Sequence, residues 1–536
     1  MSEPRIQYRK LRAPQQHDSV LMDPPLSDSQ RLLENNLSLI QQSDNLQIFG
    51  MTLAELRVTG RKALQTAALK YTGGYTNCNN KINGERIFLS GHQPKLFHPG
   101  VWFKNILLAE LAKKHSATAI NLIIDNDLCG QHSIKVPQGT IETPIVCPVF
   151  FDRNGDSVPF EEAVIQDQSL FESFGQRVAN SVIPEAGDNI RQFWELVNRS
   201  QSNNPGLKFS QARHQWEREY GIENLELPLS TVCSSREFYR FCCHLLQNAE
   251  NLQTIYNASL IEYRKVHKIR STSHPVPALE CINNAVEVPL WIWSKRSPSR
   301  KRLFCITSGD ETTLLDESGL TYGTINLASD KESAINQLAL LAQSGIKIRP
   351  RALTTTMYCR LVLSDLFVHG IGGGKYDQLT DEITKQFFKS PLPHFQIATA
   401  TVKLFADQLA NPMDALQTIE KDLRDLQFSP DKFARKAINN VHSNSLALEK
   451  LIDKKLKHVQ QEVAPADRSG WHTTLQGIHQ QLRTLLAKDE EELKATKEMT
   501  QDRLKSFELL DSREYSLILF NGKTLLDLLV SGTKTP

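Results

Sequence analysis

Apolar and polar positions follow three rhythms along this 536-residue chain. The clearest falls in GERIFLSGHQPKLFHPGVWFKNILLAELAKKHSATAINLIIDND, residues 84–127. Arg86–Leu89 reads as a short strand, Ser90–Gly100 as a loop and Trp102–Lys114 as a helix. Ala119–Ile124 is then a strand, apolar except for Asn121, as a strand covered on both faces should be. Strand, loop, helix and strand in this length make a βαβ unit, and so a parallel sheet. The polar turn Asp125-Asn126-Asp127 then falls at the carboxyl edge, where open α/β sheets bind ligands.

Upstream, residues 51–71 place Leu53, Leu56, Ala63 and Leu64 on one helical face, with Gly60 the weak point. The Pro-, Gln- and Ser-rich start heads an irregular lead-in over 1–50. Residues 165–265 read as mainly helical, including Ser235–Gln247. Residues 286–310 read as two strands joined by a basic turn, and Glu332–Ser344 as a helix. A glycine-rich loop then separates an apolar segment from another helix near 375.

From about 396 the rhythm changes to long stretches of Leu, Gln, Lys and Glu. Leu448, Ile452, Leu456, Val459 and Val463 recur at steps of four or three. APADRSG at 464–470 interrupts the stripe, and Leu475, Ile478, Leu482 and Leu485 resume it. Each stripe needs an apolar partner, so an antiparallel helical hairpin or coiled coil is expected. The fold class expected is thus α/β: a parallel-sheet core with inserted smaller subdomains over 51–395, the hairpin over 396–505, and a segment returning to the core over 506–536. A plain helical domain without a coiled coil is the other reading of 396–505.

Composition narrows the function. A single core seldom grows beyond about 250–300 residues, which suits this division. Lys plus Arg is 62 and Asp plus Glu is 60, so a general polyanion-binding surface is not implied. Solvated charge is the commoner explanation of the basic segment Lys295–Arg302, which argues against nucleic acid as a partner. No apolar run approaches the roughly 20 residues of a membrane span, and the first residues hold no signal-like apolar stretch. Nine scattered cysteines favour a reduced, cytoplasmic setting.

Three places can carry chemistry. Gly91, His92 and Gln93, with His98 following, stand before a helix whose N-terminal amides attract phosphate or carboxylate. There His92 can add a charge-assisted donor, or the loop merely turns the chain. Asp125 and Asp127 can hold Mg²⁺, orient an amine or cap the next segment through Asx-turns. Gly372, Gly373 and Gly374 can form an amide nest for an anion, with Lys375 as counter-charge, or simply let a helix pack. The segment is not GxxxxGK[ST], so no P-loop is implied. Asp377, Asp381 and Glu382 follow on the helix. Cys242, Cys243 and His244 sit among apolar residues and read as packing, so no metal site is assigned.

The order of GHQPKLFHPG at 91–100, the DND turn, YNASLIEYR at 256–264, the span from Arg349 through the glycines and the closing helices resembles the bacillithiol synthase family, the cysteine ligases of bacillithiol biosynthesis. The likeness runs from about 85 to the C-terminus. It implies a Rossmann-like core related to HIGH-type nucleotidyltransferases, a coiled coil and a homodimer. It also implies a ligase that joins cysteine to a sugar-malate acceptor. Gly91, His92 and Gln93 match the family's GHQ loop, Asp125 and Asp127 the acids of its DHD element, and Gly372–Gly374 its glycine turn. Asn126 replaces that element's histidine, and GIGGGKYD departs from the family's GGPxE turn. The function expected is therefore a ligase-like enzyme joining a small amine to a sugar-malate-like or other small carboxylate or carbonyl acceptor. His92, Asp125 and Asp127 would be catalytic, the glycines, Gln93, His98 and Lys375 would bind, and ATP or ADP with Mg²⁺ is the candidate cofactor. A nucleotidyltransferase and a non-catalytic dimeric scaffold are the alternatives.

Overall fold

A computed structural model of the chain describes residues 6, 8, 10–76, 82, 84–130, 132–186, 189–270, 276–328, 330–439 and 444–534. It forms two compact units. The first takes 1–136, 147–404 and 513–536, and the second takes 137–146 and 405–512.

The first unit is mixed α/β, built on a six-stranded sheet. Its strands are β1 (Ser19–Asp23), β2 (Ile87–His92), β3 (Thr118–Ile123), β4 (Leu225–Pro228), β5 (Leu366–His369) and β6 (Phe395–Thr401). The spatial order is β1-β6-β5-β2-β3-β4, parallel from β6 to β4 and antiparallel only at β1. From β2 the chain moves outward through β3 to β4, then returns to β2's other side for β5 and β6. The order therefore reverses between β2 and β5, which opens a crevice at their carboxyl ends. Ile87, Phe88 and Leu89 of β2 and all seven residues of β6 are buried, as strands covered on both faces require.

Three helices frame that edge: α1 (Pro99–Lys114), α2 (Pro205–Glu219) and α3 (Ile371–Phe388). In α1, Pro99 is the first residue and His98 the N-cap. Gly100 of α1 lies so close to the Ala400 carbonyl of β6 that no Cβ fits. Between β4 and β5 the chain inserts an antiparallel sheet containing Ala285–Ser294, Ser297–Ser308, Glu311–Leu315, Thr321–Asn326 and Ile346–Pro350.

The lead-in is not irregular: β1 and the helix Ser29–Gln42 lie within it, while residues 1–5, 7 and 9 are outside the described residues. Its polar composition hid them because tertiary bonds hold them. Asn36 of that helix is buried and donates to the Asp365 and His394 carbonyls at 2.9 and 2.8 Å, and β1 pairs residue for residue with β6.

Among the described residues the second unit holds five α-helices: α4 (Met413–Phe428), α5 (Pro430–Asn439), α6 (Ser445–Val459), α7 (Arg468–Leu485) and α8 (Ala487–Leu510). The turn near 464–470 is present, but two long helices about one turn understate the unit. Its core gathers Leu426, Phe433, Leu448, Ile452, Ile478, Leu482 and Leu486 from more than one pair of helices. The stripe beyond Ile452 is not covered: Leu456 and Val459 are exposed. Residues 513–534 belong to the first unit, where the Leu517 amide donates to the Phe97 carbonyl at 2.8 Å.

Candidate functional site

The carboxyl edge between β2 and β5 collects the groups of interest. Strand β2 runs through Gly91 and His92, so these two are the last strand residues and not part of a loop. The loop is therefore only 93–98. His92 is half-buried, and its Nδ1 is shut off from solvent with no hydrogen-bond partner. Burial, reinforced by the charges of Lys104, His98 and Lys95, lowers its pKa well below the usual histidine range, against a hydrogen bond to the Gln93 backbone. That direction favours the neutral ring, which can serve as donor or acceptor, over the charged donor expected at His92.

Sequence reasoning passed over Lys104. It sits on α1, 4% exposed, with Nζ donating to the Gly91 carbonyl at 2.8 Å. Gly370, which precedes α3, approaches the Lys104 side chain, so a Cβ there would stand 3.6 Å from its Cδ. Among the described residues the Gly91 carbonyl is the one hydrogen-bond partner of the ammonium, and no carboxylate pairs with it. Burial, with the nearby charge of Arg213, lowers its pKa to about 7. The signal was readable: a lysine inside the apolar run VWFKNILL has nowhere to go but inward.

The glycines are the first turn of α3 and not a loop nest. Gly370 is the N-cap, without a side-chain cap, and the Gly374 amide bonds back to the Gly370 carbonyl at 3.0 Å. A Cβ on Gly373 would lie 2.6 Å from His369 Nδ1, and one on Gly374 2.7 Å from Ile397 Cδ1. Close packing on β5 and β6 therefore explains two of the three, while Gly372 meets open space. The leading amides of this 18-residue helix still point out of its N-terminus beside Lys104. Lys375 is exposed; its carbonyl accepts from the Tyr263 hydroxyl at 3.0 Å, which ties the YNASLIEYR helix to α3.

His98 does not join His92. Its Nδ1 accepts from the Gly100 amide at 3.1 Å as the cap of α1, and its Nε2 faces Glu514 at 3.7 Å. Burial draws its pKa down to about 4, against the pull of Glu514.

The DND turn is bonded throughout. Asp125 accepts from the Ser230 amide and hydroxyl at 2.8 and 2.5 Å. Burial and the neighbouring Glu161 push its pKa up to about 7, against those bonds and Arg349. Asn126 donates to the Pro350 carbonyl at 2.8 Å. Asp127 accepts from Gln93 Nε2 and Arg300 Nη1, both at 2.9 Å, and from the Leu128 amide at 2.9 Å. Burial raises its pKa, but those bonds and the Arg300 charge outweigh it and leave it below the usual range. Gln93 and Asp127 thus join the first two sequence motifs directly. Each oxygen of the two acids already accepts a hydrogen bond, so a Mg²⁺ held by Asp125 and Asp127 would have to compete with those donors, and the arrangement fits it poorly. Among the described residues no cluster of three metal-ligating side chains occurs.

Asp377 belongs to a buried ion network instead of the crevice. It accepts from Thr356 and Arg360 at 2.6 Å and pairs with His369 Nε2 at 2.8 Å. Arg360 also donates to Asp381 at 2.6 Å. Cys242 and Cys243 are buried, and His244 stacks on Phe388 at 5.4 Å.

With this geometry in hand, the chain matches no protein-family model and no curated protein. Among the described residues no helix is long and apolar enough to cross a membrane.

Proposed function

We propose that the first unit is a Rossmann-like ligase core that binds and activates a small anionic substrate, a carboxylate or phosphate, and joins it to an amine. One observation carries this reading: a buried lysine with no carboxylate partner lies at the reversal of strand order, beside an uncapped helix N-terminus. A buried ammonium whose only hydrogen-bond partner among the described residues is a backbone carbonyl is costly, and an incoming anion offsets that cost. The helix dipole of α3 favours the same sign of ligand. His92, neutral and unbonded at Nδ1, stands next to this point and can hydrogen-bond an oxygen as charge develops on it.

A nucleotide's phosphates belong to the class of anion that this reading assigns to the Lys104 side. Mg²⁺ fits poorly on Asp125 and Asp127, so no step is assigned to it. Gln93 and Asp127 serve as positioning residues through their mutual bond, and Asp125 supports the Ser230 segment. Cysteine and a sugar-malate acceptor, which the bacillithiol synthase resemblance implies, belong to the classes of amine and carboxylate in this reading. The same resemblance supports a homodimer through the helical unit, which sedimentation velocity tests. The nucleotidyl-transfer alternative needs a second histidine beside the first, and His98 is spent on capping α1.

The test is calorimetric titration with inorganic phosphate, pyrophosphate, ATP and malate, followed by mass spectrometry of mixtures containing an amine. Saturable anion binding that Lys104→Met weakens about 10- to 100-fold supports the reading. No binding of any of the four anions sinks it.

A further inference from the structure

Behind the 93–98 loop lies a second feature that this reading leaves unused. A cavity of about 290 Å³, counted out to its open mouth, lies between the sheet, α1 and α2. His92, Asn105, Asn121, Phe209, Ser210 and Arg213 are among the residues lining it. Its interior is narrow and admits one group the size of a water molecule, too small for a ring or a phosphate.

The hydrogen bonds beneath it decide what that group must be. Arg213 donates to Glu217 at 2.7 Å and to Glu226 at 2.5 Å. Asn105 Nδ2 donates to Glu217 at 2.8 Å, and Asn121 Nδ2 to Glu226 at 2.8 Å. These donors are therefore turned away from the cavity onto two carboxylates. The Asn121 bond fixes its Oδ1 as an acceptor, and that oxygen, on a residue 4% exposed, has no partner. His92 Nδ1 is likewise unpartnered, as are the second oxygens of Glu217 and Glu226, two side chains with no exposed surface. Behind the lining, the Arg213 guanidinium is set against the two carboxylates of Glu217 and Glu226. That is one formal negative charge in excess, which the buried Lys104 ammonium, within reach of the Arg213 charge, offsets in part. The cavity wall itself offers the unpaired acceptors of Asn121 and His92. Lys95, at the lining's outer edge, is solvent-exposed, and water screens its charge.

A ligand group that suits this floor is small, positively charged and rich in donors. We propose that the cavity beneath His92 is the seat for the primary ammonium group of the amine substrate. This deepens the ligase reading and rests on it: the amine would enter on one side of His92 and the anion on the Lys104 side.

The experiment follows the imidazole ¹⁵N resonances of His92, assigned against His92→Asn, during titration with methylammonium chloride at fixed ionic strength. Methanol and tetramethylammonium are the controls. A saturable shift with methylammonium, at least tenfold tighter than with either control, is expected. Asn121→Leu should weaken it at least tenfold. Asn121 also bonds Glu226, so Ser210→Val serves as a second variant; it fills the void and leaves that bond intact. Ser210→Val should abolish the shift while phosphate affinity stays within twofold. An unsaturable shift, an equal response to methanol (a seat for water only), or an unchanged dissociation constant in Ser210→Val would overturn the proposal. Methylammonium binding without any anion binding leaves the seat standing and removes the ligase reading; anion binding alone removes only the seat.

Discussion

Lys104 and Arg360 are both buried cations of the first unit, 4% and 1% exposed, and they are held in opposite ways. Arg360 is saturated: it donates to Asp377, Asp381 and the Pro393 carbonyl and lies over the Phe395 ring at 4.7 Å. Among the described residues Lys104 has one neutral partner, the Gly91 carbonyl. The two environments shift pKa values accordingly. Burial works against the Arg360 charge, but Asp381 and Asp377 override it and raise the pKa above the usual arginine value. Nothing overrides burial at Lys104. A cation paired on every side is held within the fold by its own partners, whereas an unpaired one is the group on which the proposed anion binding rests.

The sharpest way to break this contrast is Arg360→Met. It leaves Asp377 buried with its main counter-charge gone and should cost about 3–5 kcal/mol in urea unfolding. Adding Asp377→Asn should recover part of that loss; no recovery would mean that Arg360 acts through packing alone.

Lys104→Met should behave the other way. Stability should hold or rise, because no paired charge is orphaned, while phosphate binding loses about 1.5–3 kcal/mol. A large fall in stability would place Lys104 in the same class as Arg360.

The glycines offer a third comparison within one helical turn. Gly373→Ala and Gly374→Ala should each destabilise by about 1–3 kcal/mol, since their Cβ atoms meet His369 and Ile397. Gly372→Ala, facing open space, should be neutral or stabilise by up to about 1 kcal/mol. Equal effects at all three positions would contradict the packing account.

The last prediction concerns pH. Lys104 has a folded pKa of about 7, well below its unfolded value, so the unfolded chain holds the extra proton between pH 7 and about 10. Wild-type stability should therefore rise relative to Lys104→Met across that window, by at most about 1.4 kcal/mol per pH unit. Phosphate affinity should fall as pH rises through 7, as the ammonium is lost. A pH-independent difference between the two proteins would place the lysine's pKa elsewhere.

The local elements were largely legible. Ile87–His92, α1 and Thr118–Ile123 follow from an apolar run, a Pro-led helix and a second apolar run, all short-range signals. The turn carrying Asp125 and Asp127 was legible for the same reason, as was its place at the strand ends. What each side chain does there was not. Asp127 reads as a free acid until Gln93 and Arg300, 34 and 173 residues away, are seen to occupy it. His98 reads as a ligand until the Gly100 amide turns it into a cap. The stripe through Leu456 and Val459 promised a closed seam, but periodicity says which face is apolar, not whether anything covers it.

By itself the sequence determined the parallel-sheet architecture of the first unit, the helical character of most of 396–505, though its first residues are strand β6, and the strand-end position of the DND turn. These depend on periodicity, turn chemistry and capping, which act over a few residues. The tertiary structure alone decided that Lys104 is unpaired, that Arg360 is saturated, and that Asn121 and His92 present unbonded atoms to one cavity. Those outcomes depend on which distant groups share a buried volume. A charge's pairing is settled by neighbours that other elements bring in, α3 for Arg360 and β2 for Lys104, and the local pattern around each cation does not contain them.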